Sequence, residues 1–142
     1  MTGTIFDIEE GSIYGSEKLG ITIYFKGCPL RCKMCHSPEG QNEDVQDVVF
    51  PDGTHKTIGQ IVESKDLARY INKMHRCMDI SFVFSGGEPL LQGHFMLEVI
   101  SMLDDNVDIV LDTSGYCVDK ELFCAVASKM SFIDFSLKLI DV

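Results

Sequence analysis

The sequence predicts an α/β fold in which about four parallel strands alternate with helices, preceded by a short N-terminal hairpin, in one domain spanning residues 1–142. Three observations predict it. Runs rich in β-branched and aromatic residues alternate with segments of helical period, the rhythm of right-handed βαβ units. Each of those runs stops at a short, chemically unusual sequence. A chain of 142 residues with 45% hydrophobic content has material for one core and not for two.

Taken in order, GTIFDIEEGSIYG (3–15) reads as the hairpin, with Ile5, Ile13 and Tyr14 flanking a Glu9-Glu10-Gly11 turn. GITIYFKG (20–27) is a buried strand ending at a glycine, and residues 41–56 read as an irregular polar loop. A helical period starts at Thr57 and runs through Ile58, Ile61, Val62, Tyr70, Ile71 and Met74. ISFVF (80–84) is the next strand, and residues 90–103 form a helix carrying Leu90, Phe95, Val99 and Leu103. VDIVLD (107–112) is the third strand, DKELFCAVASKM (119–130) a helix with Asp119 as N-cap, and SFIDFSLKLI (131–140) the fourth strand. In parallel βα architectures the loops after the C-terminal strand ends share one face. The cysteine loop, SGGEP, DTSG and SLK therefore converge on one mouth.

Charge and composition exclude several classes. With 22 acidic against 12 basic residues and a net charge of −10, the chain lacks the basic track that nucleic acid requires. The acidic runs Glu9-Glu10, Glu43-Asp44 and Asp104-Asp105 read as solvated surface. No stretch approaches the roughly 18 apolar residues of a membrane span, and the N-terminus has no export-signal pattern. Six cysteines in that context are expected as reduced thiols or metal ligands in a cytoplasm. Cys77, Cys117 and Cys124 are scattered and read as small buried apolar residues; His55, His75 and His94 read as ordinary structure.

GCPLRCKMCHSPEG (27–40) carries the chemistry, with Cys28, Cys32 and Cys35 spaced C-x3-C-x2-C. Thiolates are soft ligands that suit iron–sulfur clusters and zinc. A four-iron cluster normally takes four thiolates, so three leave one iron open to a substrate. Zinc is the rival, with His36 formally completing a Cys3His set, but adjacent residues rarely point at one tetrahedral ion.

The loop resembles the radical S-adenosylmethionine superfamily, whose signature is C-x3-C-x2-C. The wider FKGCPLRCKMCHSPEG (25–40), FSGGEPLLQ (84–92) and LDTSGY (111–116) are similar to the enzymes that activate glycyl-radical enzymes, typified by the pyruvate formate-lyase type. The resemblance implies a [4Fe-4S] cluster on Cys28, Cys32 and Cys35 and S-adenosylmethionine as cofactor. It implies that Gly86, Gly87 and Glu88 hold the methionyl amino group, a partner that a buried glutamate needs. Asp112 and Thr113 would lie beside the cofactor, with a monovalent cation nearby in some activases. His36 would offer backbone to the adenine and Met34 would pack near it in place of the usual aromatic residue. Lys138 resembles the lysine of a D-x-K strand end, although Ser136 stands where the acid is expected. YGSEKLG (14–20) also departs from the activases' usual Asp-Gly-Pro-Gly-Ile-Arg.

The implied reaction is reductive cleavage of S-adenosylmethionine to a 5′-deoxyadenosyl radical, which takes a hydrogen from a glycine of a partner enzyme. A glycyl-radical enzyme is then the partner, and flavodoxin or ferredoxin the electron donor. Residues 36–76 contain no cysteine, so no inserted cluster segment is present, which favours the simpler pyruvate formate-lyase type. Activases usually build six βα units; four here imply a partial (β/α) barrel, the product of a fragment or a truncated gene. The alternatives are an anaerobic ribonucleotide reductase activase, a small-molecule radical enzyme and a non-catalytic cluster- or zinc-binding module.

Overall fold

The structure is a computed structural model that describes residues 1–13 and 18–138. A six-stranded sheet organises it. Strands β1 (Thr2–Ser12), β2 (Gly20–Phe25), β5 (Gln60–Glu63), β6 (Ser81–Gly86), β7 (Asp108–Thr113) and β8 (Phe132–Phe135) are ordered β5-β1-β2-β6-β7-β8. The four strands from β2 to β8 are mutually parallel, and β1 and β5 add antiparallel pairings at one side. A separate two-stranded hairpin joins β3 (Gln46–Val49) to β4 (His55–Ile58). Helices α1 (Ser64–Cys77), α2 (Gly93–Ser101) and α3 (Lys120–Ala127) connect successive parallel strands.

Central strands of such a sheet are covered on both faces, and β6 is buried from Ser81 to Ser85. On one face Ile21, Ile23, Phe25, Phe82, Phe84, Ile109 and Leu111 pack against Leu67, Ile71, Phe95, Met96, Val99 and Val126 of the helices. Phe25 is the pivot, edge-on to Phe84 at 5.4 Å and to Phe95 at 6.3 Å between ring centroids. The opposite face is built differently. Thr22, Val83 and Val110 are fully buried there. Beside them Ser81 donates to Asp108 at 2.7 Å and Ser85 to Asp112 at 2.6 Å, so neighbouring strands are stitched by hydroxyl–carboxylate pairs.

The parallel βαβ order is as the sequence predicts, and Asp119 is indeed the N-cap of α3, accepting from the Glu121 and Leu122 amides at 2.9 and 3.0 Å. Several local expectations are overturned. Glu9-Glu10-Gly11 is not a turn: β1 runs straight through it and pairs with β2, so the hairpin is β1–β2. Gly11, at φ +92°, is absorbed where the β1–β2 register shifts, which is how a bulge uses a left-handed glycine. Tyr14 lies outside the described residues.

The helix expected from Thr57 begins at Ser64. Gly59 at φ +100° breaks the chain between β4 and β5, and Ile58, Ile61 and Val62 alternate along strands rather than wind. The polar stretch 41–56 holds β3 and the first two residues of β4, which places His55 on a strand. The expected 90–103 helix opens as a 3-10 turn at Pro89–Gln92, and β8 ends at Phe135 rather than filling the expected 131–140, of which 139 and 140 lie outside the described residues. Cys77 and Cys124 are exposed and Cys117 half-buried, so none is the enclosed apolar residue expected. Cys117 still packs against the edge of the core and its thiol donates to the Asp119 carbonyl at 3.1 Å.

Candidate metal centre

Because β2, β6, β7 and β8 are parallel, their C-terminal ends open on one edge, and direct contacts join the four loops there. The Gly87 amide donates to the Phe25 carbonyl at 2.9 Å and the Glu88 amide to the Gly27 carbonyl at 2.7 Å. The Ser136 amide donates to the Thr113 carbonyl at 2.8 Å. The close approach explains the glycine pair. A Cβ on Gly86 (φ +121°) would lie 2.3 Å from Phe25 backbone, and one on Gly87 would lie 2.2 Å from the Gly27 carbonyl oxygen. These glycines admit the backbone of the cysteine loop itself, a tighter demand than the ligand approach read from the sequence.

Glu88 binds the rim together. It is 1% exposed, and its carboxylate has four donors. Oε1 accepts from the Leu90 amide at 3.1 Å and Thr113 Oγ1 at 2.6 Å; Oε2 accepts from the Ser114 amide at 2.9 Å and from Ser114 Oγ. The donor partner that a buried carboxylate requires is thus supplied from within, by the turn after β6 and the loop after β7. Thr113, itself buried, is committed to Glu88 and to the Gly115 amide, which donates to its hydroxyl at 2.9 Å.

The three cysteines follow β2 on the same rim. Cys28 and Cys32 are half-buried, Cys35 is exposed, and all three are free thiols. A turn carries the chain between the second and third, with the Cys35 amide donating to the Cys32 carbonyl at 3.2 Å. Arg31 folds back so that its guanidinium donates to the Cys28 carbonyl at 2.6 Å. Burial pushes the Cys28 thiol above its ordinary range, a hydrogen bond from the Leu30 amide pulls it down, and the charges of Glu88, Cys32 and Cys35 push it up. Among the described residues no three His, Cys, Asp or Glu side chains are gathered at metal-binding separation. The donor chemistry nonetheless fits a cluster: three unbridged soft thiols on one turn-forming loop, whose mutual repulsion as thiolates a cationic iron centre would relieve.

The other expected residues divide into two groups. Asp112 lies on the rim with Ser85 bonded to it; burial raises its carboxyl, Ser85 opposes that, Asp134 raises it further and Lys138 lowers it. Lys138 therefore does face Asp112 electrostatically, and its ammonium donates to Ser136 Oγ at 2.9 Å. Met34, at 84% exposure, and His36 are both solvent-exposed on the cysteine loop. Three residues escaped the sequence reading. Asp134 stands opposite Asp112 in the β7–β8 register, and Ser114 supplies two of the four donors to Glu88. Gln92 grips three backbone groups: its amide nitrogen donates to the Thr4 and Lys26 carbonyls at 2.8 and 2.7 Å, and its oxygen accepts from the Thr4 amide at 2.9 Å. It closes the quoted stretch FSGGEPLLQ, and strand-end spacing alone gives no hint of that role.

Comparison with known proteins follows the same lines. The family described as "4Fe-4S single cluster domain" matches residues 15–141. The pyruvate formate-lyase-activating enzyme of Clostridium pasteurianum is 29% identical over 80% of this chain and 44% of its own. Pyruvate formate-lyase 2-activating enzyme of Escherichia coli is 26% identical over 96% of this chain and 54% of its own. The 4-hydroxyphenylacetate decarboxylase activating enzyme of Clostridium scatologenes is 24% identical over 98% and 61%. The chain therefore spans about half the length of these curated relatives. The crystal structure of QueE from Escherichia coli superimposes with a TM-score of 0.60 at 17% identity, covering 93% of this chain and 69% of that one, a likeness of fold. With a family match across nearly all its residues and activases among its relatives, the chain belongs to the 4Fe-4S single cluster domain family, among the radical S-adenosylmethionine proteins related to glycyl-radical-enzyme activases.

Proposed function

We propose that this chain is a radical S-adenosylmethionine activase that generates a glycyl radical on a partner enzyme, and that residues 1–142 form a single core domain of that type. The observation that carries the proposal is that the loop bearing three free cysteines is bonded to the Glu88 turn on one rim of the parallel sheet, through the Glu88 amide and the Gly27 carbonyl. Cys28, Cys32 and Cys35 would hold a [4Fe-4S] cluster with one iron open. When bound and reduced, that cluster supplies the electron that splits S-adenosylmethionine into methionine and a 5′-deoxyadenosyl radical.

The protein's share is orientation. The loop after β6 presents Gly86, Gly87 and Glu88 toward the methionyl amine, with Glu88 locked by Thr113 and Ser114 so that the turn cannot relax. Asp112 on β7 and Lys138 in the segment after β8 flank the cofactor, and a monovalent cation at Asp112 belongs to the same reading. Met34 and His36, exposed on the cysteine loop, cover the adenine once the cofactor is in place. The sheet is read as part of a (β/α) barrel of six units, in which further units would cover Phe132 and Phe135, now 44% and 49% exposed on β8.

The relatives' names carry different partners, pyruvate formate-lyase and 4-hydroxyphenylacetate decarboxylase, so the proposal names the class, a glycyl-radical enzyme. A pyruvate formate-lyase is the first candidate, since 36–76 holds no further cysteine. Flavodoxin or ferredoxin would deliver the electron, in a cytoplasmic setting that keeps thiols reduced. No helix among the described residues is long and apolar enough to cross a membrane.

The test is an anaerobic assay with dithionite, S-adenosylmethionine and candidate glycyl-radical proteins. A glycyl signal in electron paramagnetic resonance and one 5′-deoxyadenosine per radical support the proposal. 5′-Deoxyadenosine formed with a small-molecule substrate and no protein partner would replace it, and a zinc-loaded protein forming none would remove it.

A further inference from the structure

Lysine is almost never fully enclosed, yet Lys26, two residues before the first cysteine, has no exposed surface at all. Its ammonium donates to the Glu39 carbonyl at 2.8 Å and to Gln46 Oε1 at 3.2 Å, both neutral acceptors. Asp44 and Glu39 act on it through space without forming an ion pair, against the cost of its burial. Its stem runs beneath Gly59, where a Cβ would stand 2.5 Å from Lys26 Cδ; a glycine at that position keeps the channel open. Nothing in the cofactor chemistry requires a cation at this spot, so its structural context explains it.

Glu39 and Gln46 bracket a segment that performs a task for the cysteine loop. Within it, the Gly40 carbonyl accepts from the Gly27 amide at 2.7 Å and the Gln41 carbonyl accepts from the Cys28 amide at 3.1 Å. Those two bonds hold the chain entering the three-cysteine turn. Lys26 clamps the first residue of that bracket by its backbone and the last by its side chain. Its own backbone is also fixed: its amide donates to the Thr4 carbonyl at 2.9 Å and its carbonyl accepts from Gln92.

We propose that Lys26 is a positioning residue for the metal centre: its buried ammonium pins segment 39–46, and through the Gly40 and Gln41 carbonyls this sets the position of Cys28. The proposal rests on the cysteine loop being the cluster site, and it assigns Lys26 no contact with cluster or cofactor. Its first readout is therefore taken on the metal-free full chain, so that failure of the clamp and failure of the cluster assignment are distinguishable.

Lys26→Met keeps the stem and removes all three donors; Gln46→Leu removes one acceptor and leaves the lysine. Amide exchange measured under reducing, anaerobic conditions should speed up at Gly27 and Cys28 by about tenfold or more in Lys26→Met, the scale of losing a hydrogen bond to a charged group. Gln46→Leu should move the same amides in the same direction by a smaller factor. Amides of Phe82 and Phe84 in the central strand should remain at wild-type rates. In parallel, the Cys28 thiol should be modified faster relative to Cys35, and the reconstituted protein should surrender iron to a chelator about tenfold faster. Unchanged Gly27 and Cys28 exchange in a folded Lys26→Met chain would overturn the proposal. If that variant does not fold, unchanged exchange in Gln46→Leu does the same.

Discussion

Replacing Glu88 by glutamine tests the rim at its most connected point. The carboxylate offers two oxygens to four donors, Leu90 N and Thr113 Oγ1 on one side and Ser114 N and Oγ on the other. An amide keeps one oxygen and turns the other into a donor. The Thr113 and Ser114 hydroxyls can rotate to accept, but a backbone N–H cannot. Whichever way the amide is placed, either the Leu90 or the Ser114 amide faces another N–H in a site that is 1% exposed. One stranded buried donor costs about 1–3 kcal/mol, and the surviving bonds lose their charge assistance, about 1 kcal/mol more. The expected loss is about 2–4 kcal/mol, or roughly 8–16 °C in Tm for a domain of this size. Urea unfolding of the metal-free chain followed by circular dichroism measures it. Thr113→Val alone should cost about 1 kcal/mol and much less in the Glu88→Gln background, because the two groups are partners. A Glu88→Gln chain within 0.5 kcal/mol of wild type, or strictly additive mutants, would refute the idea that this carboxylate ties the two strand ends together.

Three further outcomes follow from the same structure. Asp112→Asn should raise Tm at pH 7: burial raises the folded carboxyl, so the charged form burdens the folded state above its folded pKa. That gain should vanish as pH falls below the unfolded pKa, and a pH series of Tm values checks it. Gly87→Ala drives a Cβ toward the Gly27 and Gly40 carbonyl oxygens, at 2.2 and 2.6 Å, and should cost about 1–3 kcal/mol in urea unfolding while lowering iron loading of the adjoining loop. Asp119→Ala removes the cap on the Glu121 and Leu122 amides and should cost about 1 kcal/mol by the same measurement, leaving iron loading untouched.

What could be read from the sequence was whatever local chemistry dictates. Runs such as ISFVF announce strands buried on both faces, and Asp119 before a helical period announces a cap. Cysteine spacing announces that Cys28, Cys32 and Cys35 share one loop, because neighbours so close in sequence are joined by the chain itself. The mistakes share a cause: partners distant in sequence decided the outcome. Glu9-Glu10-Gly11 has turn composition, yet pairing with β2 across the register shift carries the strand through it. Ile58, Ile61 and Val62 fit a helical period over a few residues, but Gly59 and the pairing of β5 with β1 impose strands. The donors that Glu88 also has within the chain, Thr113 at the end of β7 and Ser114 just beyond it, lie 25 and 26 residues on and are brought to it by the parallel sheet. Gln92 and Lys26 act on backbone atoms brought near only by the closed sheet, so no spacing rule exposes them.

The measurement closest to the heart of the account is the electron paramagnetic resonance spectrum of the anaerobically reconstituted, dithionite-reduced chain before and after S-adenosylmethionine is added. About four irons per chain and a spectrum whose g-values move on addition are expected, because an iron held by only three cysteines can take the added ligand. Stoichiometric zinc in place of iron, or a cluster whose spectrum does not respond, would contradict the account.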